Sequence, residues 1–131
     1  MGDIVIKRIV VAGSRNYNNY QQAERYINFY IKEIKEIYRL VFLSGGCQGA
    51  DKLGEKYAEE KGYEIQIIPA EWEKYGLKAG PIRNEKMAQI ADYVICFWDG
   101  KSRGTENMIN SAIKYKKPYR IVKISDDDLL F

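Results

Sequence analysis

The sequence predicts a single-domain α/β protein, with a mainly parallel five-stranded sheet flanked by about four helices. Three observations carry that prediction. Short apolar, β-branched runs alternate with longer amphipathic stretches along the whole chain, the order of linked strand–helix–strand units. At 131 residues the chain has the size of one domain, able to bury roughly two-thirds of its unfolded surface. Glycine-rich segments recur where a strand should end and a helix begin, as tight strand-to-helix loops require.

Ile4 to Ala12 is rich in β-branched residues and reads as the first strand, running into Gly13. Ala23, Ile27, Tyr30, Ile31, Ile34, Ile37 and Tyr38 recur at spacings of three and four, which predicts an amphipathic helix over about residues 19–39. Leu40 to Leu43 is a short buried strand ending at Ser44-Gly45-Gly46. Ala50, Leu53, Tyr57 and Ala58 mark the inner face of a second helix, and Gly62 stops it. Tyr63 to Ile68 is a third strand, closed by Pro69.

A loop carrying Trp72 and Tyr75 follows, and Pro81 stands where a first helical position would be. Met87, Ile90 and Ala91 supply that helix with an inner face. Tyr93 to Trp98 is apolar throughout and reads as an interior strand. Thr105 to Lys116 is a helix with Met108, Ile109, Ala112 and Ile113 inside, and Tyr119 to Ile124 is the last strand. The domain is expected over residues 1–125, with residues 126–131 (DDDLLF) as an acidic tail.

Composition narrows the chemistry. The chain has no histidine, which removes Ser-His-Asp and Cys-His nucleophile pairs and His-ligated zinc. Cys47 and Cys96 alone make neither a four-thiolate metal site nor a disulfide framework; no metal and no cofactor is expected. The longest apolar run, Tyr93 to Trp98, is far too short to span a bilayer, and Asp3, Lys7 and Arg8 interrupt any signal-peptide pattern. The expectation is a cytoplasmic protein without membrane contact. The net charge is +3, and leaving out the three aspartates of the tail raises it to +6.

Three loops follow strands and precede helices: Gly13-Ser14-Arg15, then Ser44 to Asp51 (SGGCQGAD), then Asp99 to Glu106 (DGKSRGTE). In a parallel sheet such loops emerge together at the carboxyl edge, where open α/β sheets bind ligands. Each could be only a tight turn, yet three on one edge favour an anion-binding crevice with amides at helix starts. Arg15, Lys101 and Arg103 would add charge-assisted bonds to phosphate. Neither a Walker A loop nor a GxGxxG fingerprint is present.

Arg83 and Asn84, two and three residues after Pro81, sit in a first helical turn. There the guanidinium either meets an anion or pairs with Glu85 or the Glu71/Glu73 loop. Asp51 and Glu106 occupy matching first-turn positions, either complementing helix dipoles or touching ribose hydroxyls and a glycosidic bond. Trp72, Tyr75 and Trp98 lie in or beside the loops and could stack on a base. Cys47 is taken as a small residue that fits its helix start.

The motifs GSR, SGGCQGAD, W-x-x-Y-G-x-x-A-G-P-x-R-N-x-x-M and G-x-S-R-G-T-x-x-M occur in an order that resembles the YspA-like branch of the SLOG superfamily. These are Rossmann-like relatives of the lonely guy phosphoribohydrolases and of the DNA-processing protein Smf/DprA. The resemblance covers about residues 8–122. It implies a Rossmann-like domain binding a nucleotide or nucleotide-derived ligand. Gly13, Ser14 and Arg15 would meet that ligand from the first loop, and Ser44, Gly45, Gly46, Gly49 and Asp51 from the second. Arg83 with Asn84, and the phosphate-loop pair Gly104-Thr105, would complete the site.

The lonely guy enzymes cleave base from ribose 5′-phosphate with an arginine and a glutamate. Here the glutamate position holds Asn107, Glu106 stands one residue earlier, and Asp99-Gly100-Lys101 replaces a PGG. The expected function is therefore binding of an AMP- or ADP-ribose-like ligand as a sensing, sequestering or processing module. The alternatives are a nucleotide N-glycosidase, with Glu106, Arg83 and Asp51 as candidate catalytic residues, and a single-strand nucleic-acid binder using Lys114, Lys116, Lys117, Arg120 and Lys123. The small-molecule ligand is preferred to nucleic acid as partner, and self-association remains open.

Overall fold

The computed structural model describes residues 4–125, and the expected acidic tail lies outside them. Strands β1 (Ile6–Gly13), β2 (Arg39–Ser44), β3 (Glu64–Ile67), β4 (Tyr93–Trp98) and β5 (Tyr119–Lys123) form one sheet in the order β3-β2-β1-β4-β5. All four pairings are parallel, with Ile9 opposite both Phe42 and Tyr93. Four long helices, α1 (Tyr20–Ile31), α2 (Ala50–Lys61), α4 (Ala79–Ile90) and α5 (Arg103–Lys114), make the crossovers, and a one-turn helix α3 (Trp72–Tyr75) precedes α4. The expected α/β architecture is the one observed.

The strand period of two sorts side chains into two cores. Ile9, Val11, Phe42, Ile95 and Phe97 face α1 and α2, meeting Ala23, Ile27, Ile31, Tyr57 and Ala58. Val10, Ala12, Leu43, Val94 and Cys96 face α4 and α5, meeting Met87, Ala88, Met108, Ile109 and Ala112. Interior strands buried on both faces must be apolar at every position, which is why β4 reads YVICFW. The edge strands β3 and β5 instead expose Glu64, Gln66, Arg120 and Lys123, charges and polar groups that discourage further strand pairing. Helix α2 lies close on β1 because Gly54 faces Val11: a Cβ on Gly54 would fall 2.6 Å from that of Val11.

The first helix stops at Ile31, short of the expected residue 39. A 3-10 turn over Ile34–Glu36 then leads into β2. Ile34 and Tyr38 still pack on the core, whereas Ile37 is exposed. The reason is reach. A helix over residues 19–39 would be about 31 Å long, overshooting a crossover that must begin β2 beside Ile6. Helix α4 begins two residues before Pro81, at Ala79, after a 3-10 turn over Gly76–Lys78; Pro81 is tolerated because the first turn needs no amide donors.

The inner faces also differ from expectation. Ile90 and Ile113 are exposed, while α4 buries Arg83 and Asn84 beside Met87 and Ala88. A polar pair on the inner face hides the apolar stripe that periodicity searches for. Ser111 is buried on α5, one position earlier than a strict apolar reading allows. Among the described residues no helix is long and apolar enough to cross a membrane.

The chain leaves β1 toward β2 and β3 on one side, then returns to add β4 and β5 on the other. The carboxyl ends of β1 and β4 therefore diverge at a topological switch point, opening a crevice there. Its base depends on Gly49. This residue has φ +81°, and a Cβ would lie 2.3 Å from the Ser14 carbonyl oxygen and 2.4 Å from that of Arg15. The Ala50 amide also donates to the Ser14 carbonyl at 3.2 Å, tying the first two loops together. Gly49→Ala is expected to destabilise the protein by about 3 kcal/mol, combining left-handed strain with overpacking. Gly100 has the same φ but nothing within 4 Å of a Cβ, so Gly100→Ala should cost only about 1 kcal/mol. Urea denaturation of the two variants checks the difference.

Candidate functional site

The crevice at the switch point is a cavity of about 330 Å³. The β1–α1 loop contributes Ala12 to Asn16, the β2–α2 loop Cys47 and Asp51, and the β4–α5 loop Asp99, Ser102, Gly104 and Thr105. Arg83, Asn84 and Met87 enter from α4, and Met108 from α5. Arg83 and Met87 are four residues apart, as are Gly104 and Met108. Helical geometry therefore puts each pair on one face. The two methionines form an apolar floor beneath a polar rim.

Arg83 is the centre of the polar network. Only 8% of it is exposed. Its Nη1 donates to the Gly45 carbonyl at 2.7 Å, its Nε to Asn84 Oδ1 at 2.9 Å, and its Nη2 reaches Cys47 Sγ at 3.8 Å. Asn84 in turn donates through Nδ2 to Asn107 Oδ1 at 3.0 Å and to the Gly104 carbonyl at 3.3 Å. These two acceptors hold the amide so that its oxygen faces the guanidinium. Asn107, the position the resemblance associates with a catalytic glutamate, here positions Asn84.

Gly45 leaves the room this network needs. A Cβ there would sit 2.6 Å from Arg83 Nη1 and 2.9 Å from Asp51 Oδ2, so one residue's missing side chain brings cation and carboxylate together. Asp51 is buried and accepts from the Cys47 amide at 3.1 Å. Burial pushes its carboxyl up to about 6, against the opposing pull of that amide and of Arg83. In a chain without histidine, Asp51 thus takes the neutral-pH titration that histidine normally supplies.

Asp99 is tuned the other way. Partial burial works against its charge, but the Ser102 and Lys101 amides and the Ser14 hydroxyl outweigh it and hold the carboxyl below its ordinary value. Both amides donate to Oδ1 at 2.8 Å, and the Asp99 amide donates to Ser14 Oγ at 3.3 Å. The crevice therefore pairs one ionised carboxylate, one titrating carboxyl and one buried guanidinium, with Arg15 exposed at the rim.

Of the residues expected at a ligand, Gly13, Ser14, Arg15, Asp51, Arg83, Asn84, Gly104 and Thr105 line the crevice. Ser44, Gly45, Gly46 and Gly49 stand behind it. Ser44 Oγ donates to Glu55 at 2.6 Å and accepts from the Gly46 amide at 3.0 Å, so this stretch shapes the loop instead of facing the cavity. Glu106 is exposed and lies outside the lining, because one residue along a helix turns a side chain by about 100°. Arg83 does not pair with Glu85, whose partner is Lys114 at 2.8 Å.

Lys116 and Lys117 lie in the α5–β5 connection, at the amino edge and away from the crevice. Trp72 and Tyr75 are exposed on α3 and do not line the crevice either. Sequence reasoning missed Asn16, Asp99, Ser102 and Asn107 as members of the site. The D-x-x-S spacing of Asp99 and Ser102, suited to a carboxylate turn at a helix start, was the available signal.

Comparison with known proteins follows this geometry. A family model described as YAcAr, the YspA, cpYpsA-related SLOG family, matches residues 7–75. The Gene 61 protein of Mycobacterium phage D29 is 35% identical over 83 residues, which are 59% of this chain and 66% of that protein. The chain thus spans just under two thirds of that relative's length. DNA processing protein A (DprA) from Streptococcus pneumoniae shares the fold with a TM-score of 0.68 at 19% identity, over 95% of this chain and 52% of that one. DprA from Helicobacter pylori, described for its single-stranded DNA binding mode, gives a TM-score of 0.62 at 19% identity, over 95% and 68%. At such identities the likeness to DprA is one of fold.

The buried Asp51 carboxyl makes stability depend on pH with a definite sign. Its folded value, about 6, lies above the ordinary 3.8, so its contribution is full below 3.8 and is lost as pH rises through 6. A displacement of that size is worth about 3 kcal/mol. Asp51→Asn should therefore gain stability relative to the wild type as pH rises from acid to neutral, by at most that amount. Urea unfolding across this pH range measures it; parallel curves for the two proteins would contradict it.

Proposed function

The chain belongs to the YspA, cpYpsA-related SLOG family, and from that premise we propose that it binds a nucleotide or nucleotide-derived ligand, AMP- or ADP-ribose-like, to sense, sequester or process it. The observation that carries the reading is Arg83, a buried guanidinium lining a crevice at the switch point of a parallel sheet. A phosphate group satisfies that charge with better geometry than the long contact to Cys47 Sγ. Asp51 and Asp99 are acceptors suited to ribose hydroxyls, Met87 and Met108 offer an apolar surface for a base, and Arg15 is placed for a second phosphate oxygen.

The N-glycosidase alternative moves to different residues. Glu106 faces solvent and Asn107 is engaged with Asn84, so acid–base work would fall to Asp51, whose titration range suits it. Single-strand nucleic acid is the second alternative. It draws support from the fold shared with Helicobacter pylori DprA, and a strand's terminal nucleotide carries the same phosphate and sugar.

A thermal-denaturation panel of AMP, ADP-ribose, NAD, cyclic nucleotides and a short single-stranded oligonucleotide tests the reading. A true ligand at a hundredfold excess over Kd should stabilise the protein by about 2.7 kcal/mol. Arg83→Gln should weaken binding at least tenfold, as expected for loss of a charge-assisted pair. If no member of the panel stabilises the protein, the reading fails. Incubation with nucleoside monophosphates, followed by chromatography for free base, separates binding from turnover; turnover is expected to be unaffected by Glu106→Gln and abolished by Asp51→Asn if it occurs.

A further inference from the structure

Residues 71–78, which include α3 and the 3-10 turn, are exposed throughout, and neither short helix buries a side chain. One-turn helices are marginal in water without packing. Yet this segment carries Trp72, Tyr75 and Leu77, exposed by 49%, 38% and 93%. Beside Leu77 runs a groove of about 230 Å³, with Ile68, Pro69, Tyr75 and Ile82 as apolar lining and Glu71, Lys74 and Lys86 as polar lining. A bare leucine next to an apolar groove is a knob and a hole on one surface. Such a surface is complementary to itself.

We propose that this α3–α4 surface docks a second copy of the chain, with Leu77 of each copy seated in the groove of the other. Charge supports a second copy as the occupant. The patch carries both signs, Glu71 and Glu73 against Lys74, Lys78 and Lys86, so a two-fold axis sets the acids of one copy near the lysines of its partner. A polyanion such as nucleic acid would be repelled by the two glutamates and would gain no stacking from Leu77. The other aromatic patch, on α1, is already covered in part by its own side chains: Lys32 lies over the Phe29 ring at 4.5 Å, and Tyr30 packs against that ring edge-on. Arg83 lines the groove as well as the crevice, so the docked copy would abut the wall of the candidate site.

Sedimentation equilibrium of the full chain over a micromolar to submillimolar series is the test, with a mass of twice 15.2 kDa expected at the upper end. Leu77→Asp removes two leucines from two grooves at once and should raise the dissociation constant on the order of a hundredfold. Leu77 is almost wholly exposed, so its melting temperature at low concentration should match the wild type. Ile90→Asp, an exposed position of α4 outside the groove, should leave association unchanged. Reversing Glu71 and Glu73 to lysine should weaken pairing, and reversing Lys74 and Lys78 to glutamate in the same chain should restore it. A monomer throughout the series overturns the proposal. So does a dimer that survives Leu77→Asp, or charge reversals that fail to compensate.

Discussion

The burial of one cation organises the functional end of this molecule. A guanidinium with little access to water needs acceptors on several sides, because an unmet buried charge costs far more than an ordinary missing contact. Arg83 draws those acceptors from three parts of the chain: the Gly45 carbonyl, the Asn84 side chain on its own helix, and the nearby Asp51 carboxylate. The Asn84 amide is fixed in turn by Asn107 and Gly104 of α5. Helix α4, helix α5 and the β2–α2 loop are thus held in mutual register by a single side chain. The absence of a side chain at Gly45 is the steric condition for it.

The same arrangement sets the chemical temper of the crevice. Asp99 is held ionised by amides at the start of α5, while Asp51 is driven toward neutrality by burial. Two carboxyls with opposite tendencies in one cavity give a site able to accept from hydroxyls and to exchange a proton near neutral pH. A chain without histidine would otherwise have no such carrier. The cost is borne by the fold, since an ionisable group in a poorly solvated place lowers stability when charged. Strained or costly features of this kind concentrate where a protein does its work.

Much of the fold was legible because its period signals were clean. The β1 and β4 runs, the helix stop at Gly62 and the strand-to-helix loops were all recognisable locally. Helix α4 was the hard case: its buried face mixes Arg83 and Asn84 with Met87 and Ala88, so hydrophobic patterning pointed to the wrong neighbour, Ile90. The length of α1 was misjudged for a different reason. Its apolar repeat continues past Ile31, but the distance back to the sheet edge does not allow the helix to follow. In the site, loop glycines and Arg83 stood out by type, whereas Asn107 and Asp99 became meaningful only through their partners.

The sequence by itself determined the α/β class, the alternation of elements and the gathering of three loops at one edge, because strand and helix periods and glycine turns are local properties of the chain. Tertiary structure decided which residues face the crevice and which only shape it. It buried Arg83, turned Glu106 to solvent, placed Ser44 and Gly46 behind the cavity and raised the Asp51 carboxyl toward neutrality. Those outcomes depend on desolvation and on contacts between segments far apart in the chain, such as Arg83 with Gly45 and Asn84 with Asn107. No local pattern encodes the water that a neighbouring segment will exclude.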